Sequence, residues 1–163
     1  MRYHNITKAD MLNGSGIRVV LWVAGCEWHC KDCQNPITWD PKGGLFFDNA
    51  ARWELIDALK EDYISGVTFS GGDPLHPENR ATIIQLISDI REAYGDTKTI
   101  WLYTGYKYED IAYLVRRVDV VVDGPFDYQL ADKKYHWAGS INQRVIDVKR
   151  TIQEGKVVLY EDY

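Results

Sequence analysis

Three cysteines fall within eight consecutive residues, Cys26-Glu27-Trp28-His29-Cys30-Lys31-Asp32-Cys33, and the chain has no others. Thiolate is a soft ligand suited to iron–sulfur clusters and to zinc. Spacings of three and two residues on one loop let Cys26, Cys30 and Cys33 reach three corners of a cubane and leave the fourth iron free to bind a substrate. The other metal reading is a zinc site completed by His29 or His4. His29, between two of the thiols, is equally suited to an exposed position or to a hydrogen bond onto a ligand.

A second group of chemistry-bearing residues is Ser70-Gly71-Gly72-Asp73-Pro74. The glycine pair lets backbone approach a ligand closely, and Asp73 can accept hydrogen bonds from an ammonium group. The same residues also suit an ordinary strand-to-helix turn, as do Thr104-Gly105-Tyr106. Six tryptophans and eleven tyrosines raise the aromatic share to 13%. Trp22, Trp101 and Tyr103 fall in strands and read as core, whereas Trp28, Trp39 and Trp137 fall in loops and read as interface candidates.

Composition narrows the setting. With 163 residues, 45% of them apolar, the chain can build one cored domain spanning 1–163; five prolines and thirteen glycines exclude low-complexity and collagen-like classes. A formal charge of −5 argues against a nucleic-acid binder, and Lys133-Lys134 and Lys149-Arg150 read as solvated surface. The longest apolar run, Val19 to Cys26, is far short of the ~18 residues of a membrane span. The N-terminal residues lack the apolar stretch of a secretory signal, so a cytoplasmic, thiol-reducing setting is expected.

The elements that must position these residues alternate between strand and helix. Ile17 to Ala24, Val67 to Phe69, Thr99 to Tyr103 and Val118 to Val122 read as strands. Asp48 caps a helix carrying Ala51, Leu55, Ile56 and Leu59; a second helix runs from about Glu78 to Ala93, and a third carries Ile111, Leu114 and Val115. Such alternation predicts an α/β fold of parallel βαβ units, with every chemistry-bearing loop at the carboxyl edge of the strands. A full eight-unit barrel needs about 250 residues, so a partial, open (β/α) barrel is expected, its open side left for a partner. Arg144 to Val148 and Val157 to Tyr160 read as a hairpin or irregular return around Gly155.

Cys-x3-Cys-x2-Cys after the first strand, with Gly71-Gly72-Asp73 after the second, resembles the radical S-adenosylmethionine enzymes. Asn13-Gly14-Ser15-Gly16, Trp101 to Lys107, Asp123-Gly124 and Trp137 to Arg144 follow in order, and the set is similar to the glycyl-radical activases of anaerobic ribonucleoside-triphosphate reductases. The resemblance implies a 4Fe-4S cluster on Cys26, Cys30 and Cys33, with S-adenosylmethionine on the open iron. It implies cofactor contacts at Asp32, Cys33, Gln34, Gly71, Gly72, Asp73 and Thr104, and no catalytic side chain beyond cluster and cofactor. The reductase would be the partner, a carrier such as flavodoxin the one-electron donor, and a homodimer is compatible. The sequence departs from the wider pattern at Asp32, where many such enzymes place an aromatic residue before the third cysteine. Two other readings are a small radical enzyme of deazaguanine-synthase type and a zinc-stabilised binding module.

Overall fold

A computed structural model describes residues 1–161. Seven strands form one sheet: β1 (Arg2–Asp10), β2 (Arg18–Val23), β3 (Leu45–Phe46), β4 (Gly66–Gly71), β5 (Thr99–Tyr103), β6 (Val120–Asp123) and β7 (Arg144–Asp147), in the spatial order β3-β1-β2-β4-β5-β6-β7. The central four, β2-β4-β5-β6, are parallel, as the alternation with helices requires. The expected parallel sheet is corrected at both margins. There β1 pairs antiparallel with β2 and β3, and β7 pairs antiparallel with β6. The sheet is mixed and does not close, since β3 and β7 end it on opposite sides.

Four helices are present among the described residues: α1 (Asn49–Ala58), α2 (Arg80–Tyr94), α3 (Tyr108–Ile111) and α4 (Val148–Glu154). Asp48 caps α1 as expected, its carboxylate accepting from Ala51 N at 2.8 Å. The third helix is a single turn. Beyond it the chain tightens into three-residue hydrogen-bonded turns (Leu114 N to Ile111 O, Val118 N to Val115 O), which still bury Ile111 and Val115.

Side chains alternate across each strand, so the sheet has two faces. Val19, Leu21, Val23, Val67, Phe69, Ile100, Leu102, Val121 and Ile146 face the helices, packing with Leu55, Leu59, Ile83, Leu86 and Ile90. The other face carries Trp101, Val120, Val122 and Val145, covered not by helices but by Tyr103, Trp137, Ala138 and Tyr160. The tail therefore returns across the sheet: β7, then α4, then a bridge from Leu159 back to Ile146, where a hairpin or irregular return was expected.

Candidate functional site: the loops at the carboxyl edge

The parallel register brings the loop ends together as expected. Trp22 and Val23 pair with Ser70 and Gly71, and Tyr103 pairs with Val122. Beyond the strands the backbone keeps contact: Gly72 N donates to Val23 O, Asp73 N to Gly25 O, and Thr104 N to Val122 O. Four loops, after β2, β4, β5 and β6, thus share one edge.

The cysteine loop is shaped by its own backbone. Gly25 N and Cys26 N donate to the carbonyls of Thr38 and Trp39, at 2.7 and 3.0 Å, which pins the loop's start to its end. Cys33 N donates to Cys30 O at 3.1 Å, closing a turn whose third residue, Asp32, has φ +58°. Aspartate is among the few residues that adopt this left-handed geometry readily. His29 also lies there, at φ +44°, its ring stacked on Trp39 at 4.5 Å. All three cysteines are free and half-buried, and Asn35 N donates to Cys33 Sγ at 3.4 Å. Burial pushes the thiols of Cys26 and Cys30 upward in pKa.

Among the described residues, no three His, Cys, Asp or Glu side chains are gathered around one point as a single ion would need. A tetrahedral zinc site holds its sulfurs only about 3.8 Å apart, from Zn–S bonds of about 2.3 Å. Three thiols on one loop can also serve the separate corners of a cluster. His29 is engaged with Trp39, and the buried Nε2 of His4 faces the Gly43 turn without a hydrogen-bond partner.

A cleft of about 490 Å³ opens beside Cys30 and Cys33, a volume suited to a small cofactor. Trp22, Ser70, Gly71 and Tyr103 form its floor; Gln34, Phe126 and Trp137 form its walls; Lys133, Lys134 and His136 stand at its rim. Gly71 has φ +103°, and a Cβ there would meet Val23 N at 2.6 Å, so this wall is bare backbone by necessity. Of the seven residues expected at the cofactor, the cleft brings together Cys33, Gln34 and Gly71.

The other four have different tasks. Asp32 is exposed and serves the turn. A Cβ on Gly72 would lie 2.5 Å from Gly25 O, so that glycine admits the protein's own backbone. Asp73 is only 2% exposed. Its carboxylate accepts from Leu75 N (2.9 Å), Thr104 Oγ1 (2.9 and 3.0 Å), Gly105 N (3.0 Å) and Trp28 Nε1 (2.8 Å). Burial pushes this carboxyl up in pKa while the donors pull it back down. A carboxylate has about four lone-pair positions, and four donor groups occupy them here. In this structure the acceptor positions of Asp73 are taken up by the chain's own donors. Thr104 is buried and turned toward Asp73.

Sequence reasoning missed several residues that build the site. Asn79, 1% exposed, donates to Ala24 O and Asp73 O at 2.8 and 3.1 Å, tying the head of α2 to both loops. Arg18, at the start of β2 and outside the cleft lining, is fully buried and ties together the amino ends of the central strands. Its donors reach Thr68 Oγ1, Ser15 O, Thr99 Oγ1, Val67 O and Thr99 O at 2.8–2.9 Å, and burial lowers its pKa to about 10. Within the Trp137 to Arg144 stretch, Gln143 Oε1 accepts from Gly139 N and Ser140 N while Nε2 donates to Gly124 O. Asn142 donates to Pro125 O, so the stretch holds the turn that carries Phe126 into the cleft wall. Trp137, expected at an interface, instead packs edge-on against Trp101 at 5.6 Å.

The family described as a 4Fe-4S single cluster domain matches residues 12–146. Three relatives carry the name anaerobic ribonucleoside-triphosphate reductase-activating protein. That of Enterobacteria phage T4 is 44% identical over 147 residues, covering 89% of this chain and 93% of the relative. That of Haemophilus influenzae is 38% identical, covering 88% and 96%. That of Escherichia coli strain K12 is 39% identical, covering 89% and 97%.

Proposed function

Because the chain belongs to the family of anaerobic ribonucleoside-triphosphate reductase-activating proteins, with their 4Fe-4S domain, we propose that it activates such a reductase by radical chemistry at the carboxyl edge of its sheet. The observation that carries the reading is the joining of three free thiols on one loop to a cofactor-sized cleft beside Cys30 and Cys33. The donor set fits the group: three cysteine sulfurs would hold three irons beside the cleft lined by Cys30 and Cys33. When bound, a reduced 4Fe-4S cluster with S-adenosylmethionine supplies a 5′-deoxyadenosyl radical able to take hydrogen from a partner glycine, the electron coming from a one-electron carrier such as flavodoxin.

The chain's own residues hold and place. Cys26, Cys30 and Cys33 hold the irons. The Gly71 backbone offers polar atoms at the cleft floor with no side chain in the way. Trp22, Tyr103, Phe126 and Trp137 line the cleft with aromatic rings, and Tyr103 is fixed by donating from its hydroxyl to Trp137 O at 2.6 Å. The opening of the cleft leaves room for another protein's glycine to enter. The reading places the protein in the cytoplasm; no helix among the described residues is long and apolar enough to cross a membrane.

The test is anaerobic iron loading followed by dithionite. The wild-type protein should yield 5′-deoxyadenosine and methionine from S-adenosylmethionine, and Cys26→Ala, Cys30→Ala or Cys33→Ala should each abolish it. Undiminished cleavage in any of the three would refute the ligand assignment.

A further inference from the structure

Trp28 lies midway between Cys26 and Cys30 on the cysteine loop, and 38% of its surface is exposed. Its indole is nonetheless held on every other side. The N–H donates to Asp73 Oδ2 at 2.8 Å. The ring lies so close to Gly105 that any Cβ there would overlap it, and its edge meets Tyr106 at 5.1 Å and 82°. Tyr106 is covered in turn by the Arg80 guanidinium, 5.5 Å from the ring centre.

The other donors to Asp73, from Leu75, Thr104 and Gly105, all belong to the loops after β4 and β5. Trp28 is the one donor from the cysteine loop, so the bond spans from the fixed edge of the sheet to the segment that carries the thiols. A bond to an ionised acceptor away from water is about twice as strong as a neutral one. Between Cys26 and Cys33 the backbone holds two left-handed non-glycine residues and one short turn, and the loop's other side-chain ties, His29 stacked on Trp39 and Lys31 over Tyr128, involve neutral rings rather than a buried charge.

We propose that Trp28 is a positioning residue for the cluster: through the buried Asp73 carboxylate it fixes the cysteine loop against the loops after β4 and β5, and Asp73 acts through Trp28 rather than on the cofactor. The inference rests on the cluster reading above but separates from it experimentally. Trp28→Phe keeps the ring and deletes only the donor; Asp73→Asn removes the acceptor's charge. In anaerobically loaded protein, Trp28→Phe should release iron to a ferrous chelator about tenfold faster, the scale of one charge-assisted hydrogen bond. Asp73→Asn, which also weakens the bonds from Leu75, Thr104 and Gly105, should release iron at least as fast, and the double variant should be little faster than Asp73→Asn alone, because the bond that Trp28→Phe deletes is already lost there.

The reduced cluster's electron paramagnetic resonance spectrum should also change in both variants before S-adenosylmethionine is added. A residue that binds the cofactor would change only the spectrum with cofactor present. Wild-type iron release and an unchanged cofactor-free spectrum in Trp28→Phe would overturn the proposal, whether or not Asp73→Asn folds. So would a Asp73→Asn protein that loses only affinity for S-adenosylmethionine. Hydrogen exchange in the iron-free chain reads the clamp without the cluster: the amides from Cys26 to Cys33 should exchange faster in Trp28→Phe. Unchanged exchange counts against the clamp, whereas a wild-type chain that never takes up iron counts against the cluster reading alone.

Discussion

Gly72 sits where a methyl group has no room. Its hypothetical Cβ would lie 2.5 Å from Gly25 O and 2.9 Å from Thr38 O, both backbone atoms that cannot swing aside. Gly72→Ala should therefore push the Asp73 turn away from the cysteine loop. Overpacking of this kind costs about 1–3 kcal/mol, so thermal unfolding should begin several degrees lower and iron uptake should fall. An unchanged midpoint would mean that the two loops are not in contact. At this scale the sequence spoke clearly about backbone approach but not about its object. Both glycines meet the protein's own backbone, Gly71 at Val23 and Gly72 at Gly25, and Gly71 also lines the cleft. For Asp73 the deciding partner is Trp28, 45 residues away, and no local pattern announces a bond between them. Arg18 was hidden for the opposite reason: within an apolar strand a single cation gives no sign that five neutral acceptors await it.

At the element scale, the join between β6 and β7 depends on one buried charge. Asp123 is fully buried, accepts from Tyr108 N at 2.8 Å, and is paired with Arg144. Arg144 also grips the exposed Glu109 at 2.8 Å, which draws the Glu109 carboxyl down to about 2. Asp123→Ala leaves the buried Tyr108 amide without its acceptor and Arg144 with Glu109 alone, and should cost about 1–3 kcal/mol in urea unfolding. Glu109→Gln should cost less than about 1 kcal/mol, because water screens that pair. Since the Glu109 pKa is depressed in the fold, its contribution is present at neutral pH and fades as pH falls through about 2. Equal effects from the two substitutions would show that burial does not set the difference. The central strands were legible because apolar, mostly β-branched or aromatic residues run without interruption through Val19–Val23 and Val120–Val122. β1 was not, because only Ile6 of its nine residues is buried and nothing alternates. α4 did carry signals, Asp147 as its cap and Gly155 at φ +69° as its stop, but the valines on either side read as strands.

Across the whole molecule the two faces of the sheet divide the work. The helix-covered face supplies the core, and the opposite face supplies the cleft, closed below by Trp101, Trp137 and Tyr160 and open beside Cys30 and Cys33. The sheet is unclosed, and its margins are finished by antiparallel strands rather than by further βα units. The tail after Arg144 covers part of the open side through Tyr160, stacked edge-on against Trp101 at 5.1 Å, yet the cleft itself stays accessible. An accessible cleft is what a protein substrate requires, since its glycine must reach the cofactor while still attached to its own chain. The most direct measurement is electron paramagnetic resonance of the iron-loaded protein mixed anaerobically with its reductase, S-adenosylmethionine and a one-electron donor. The account predicts a glycyl-radical doublet on the reductase that disappears with Cys30→Ala; cofactor cleavage without any doublet would contradict it.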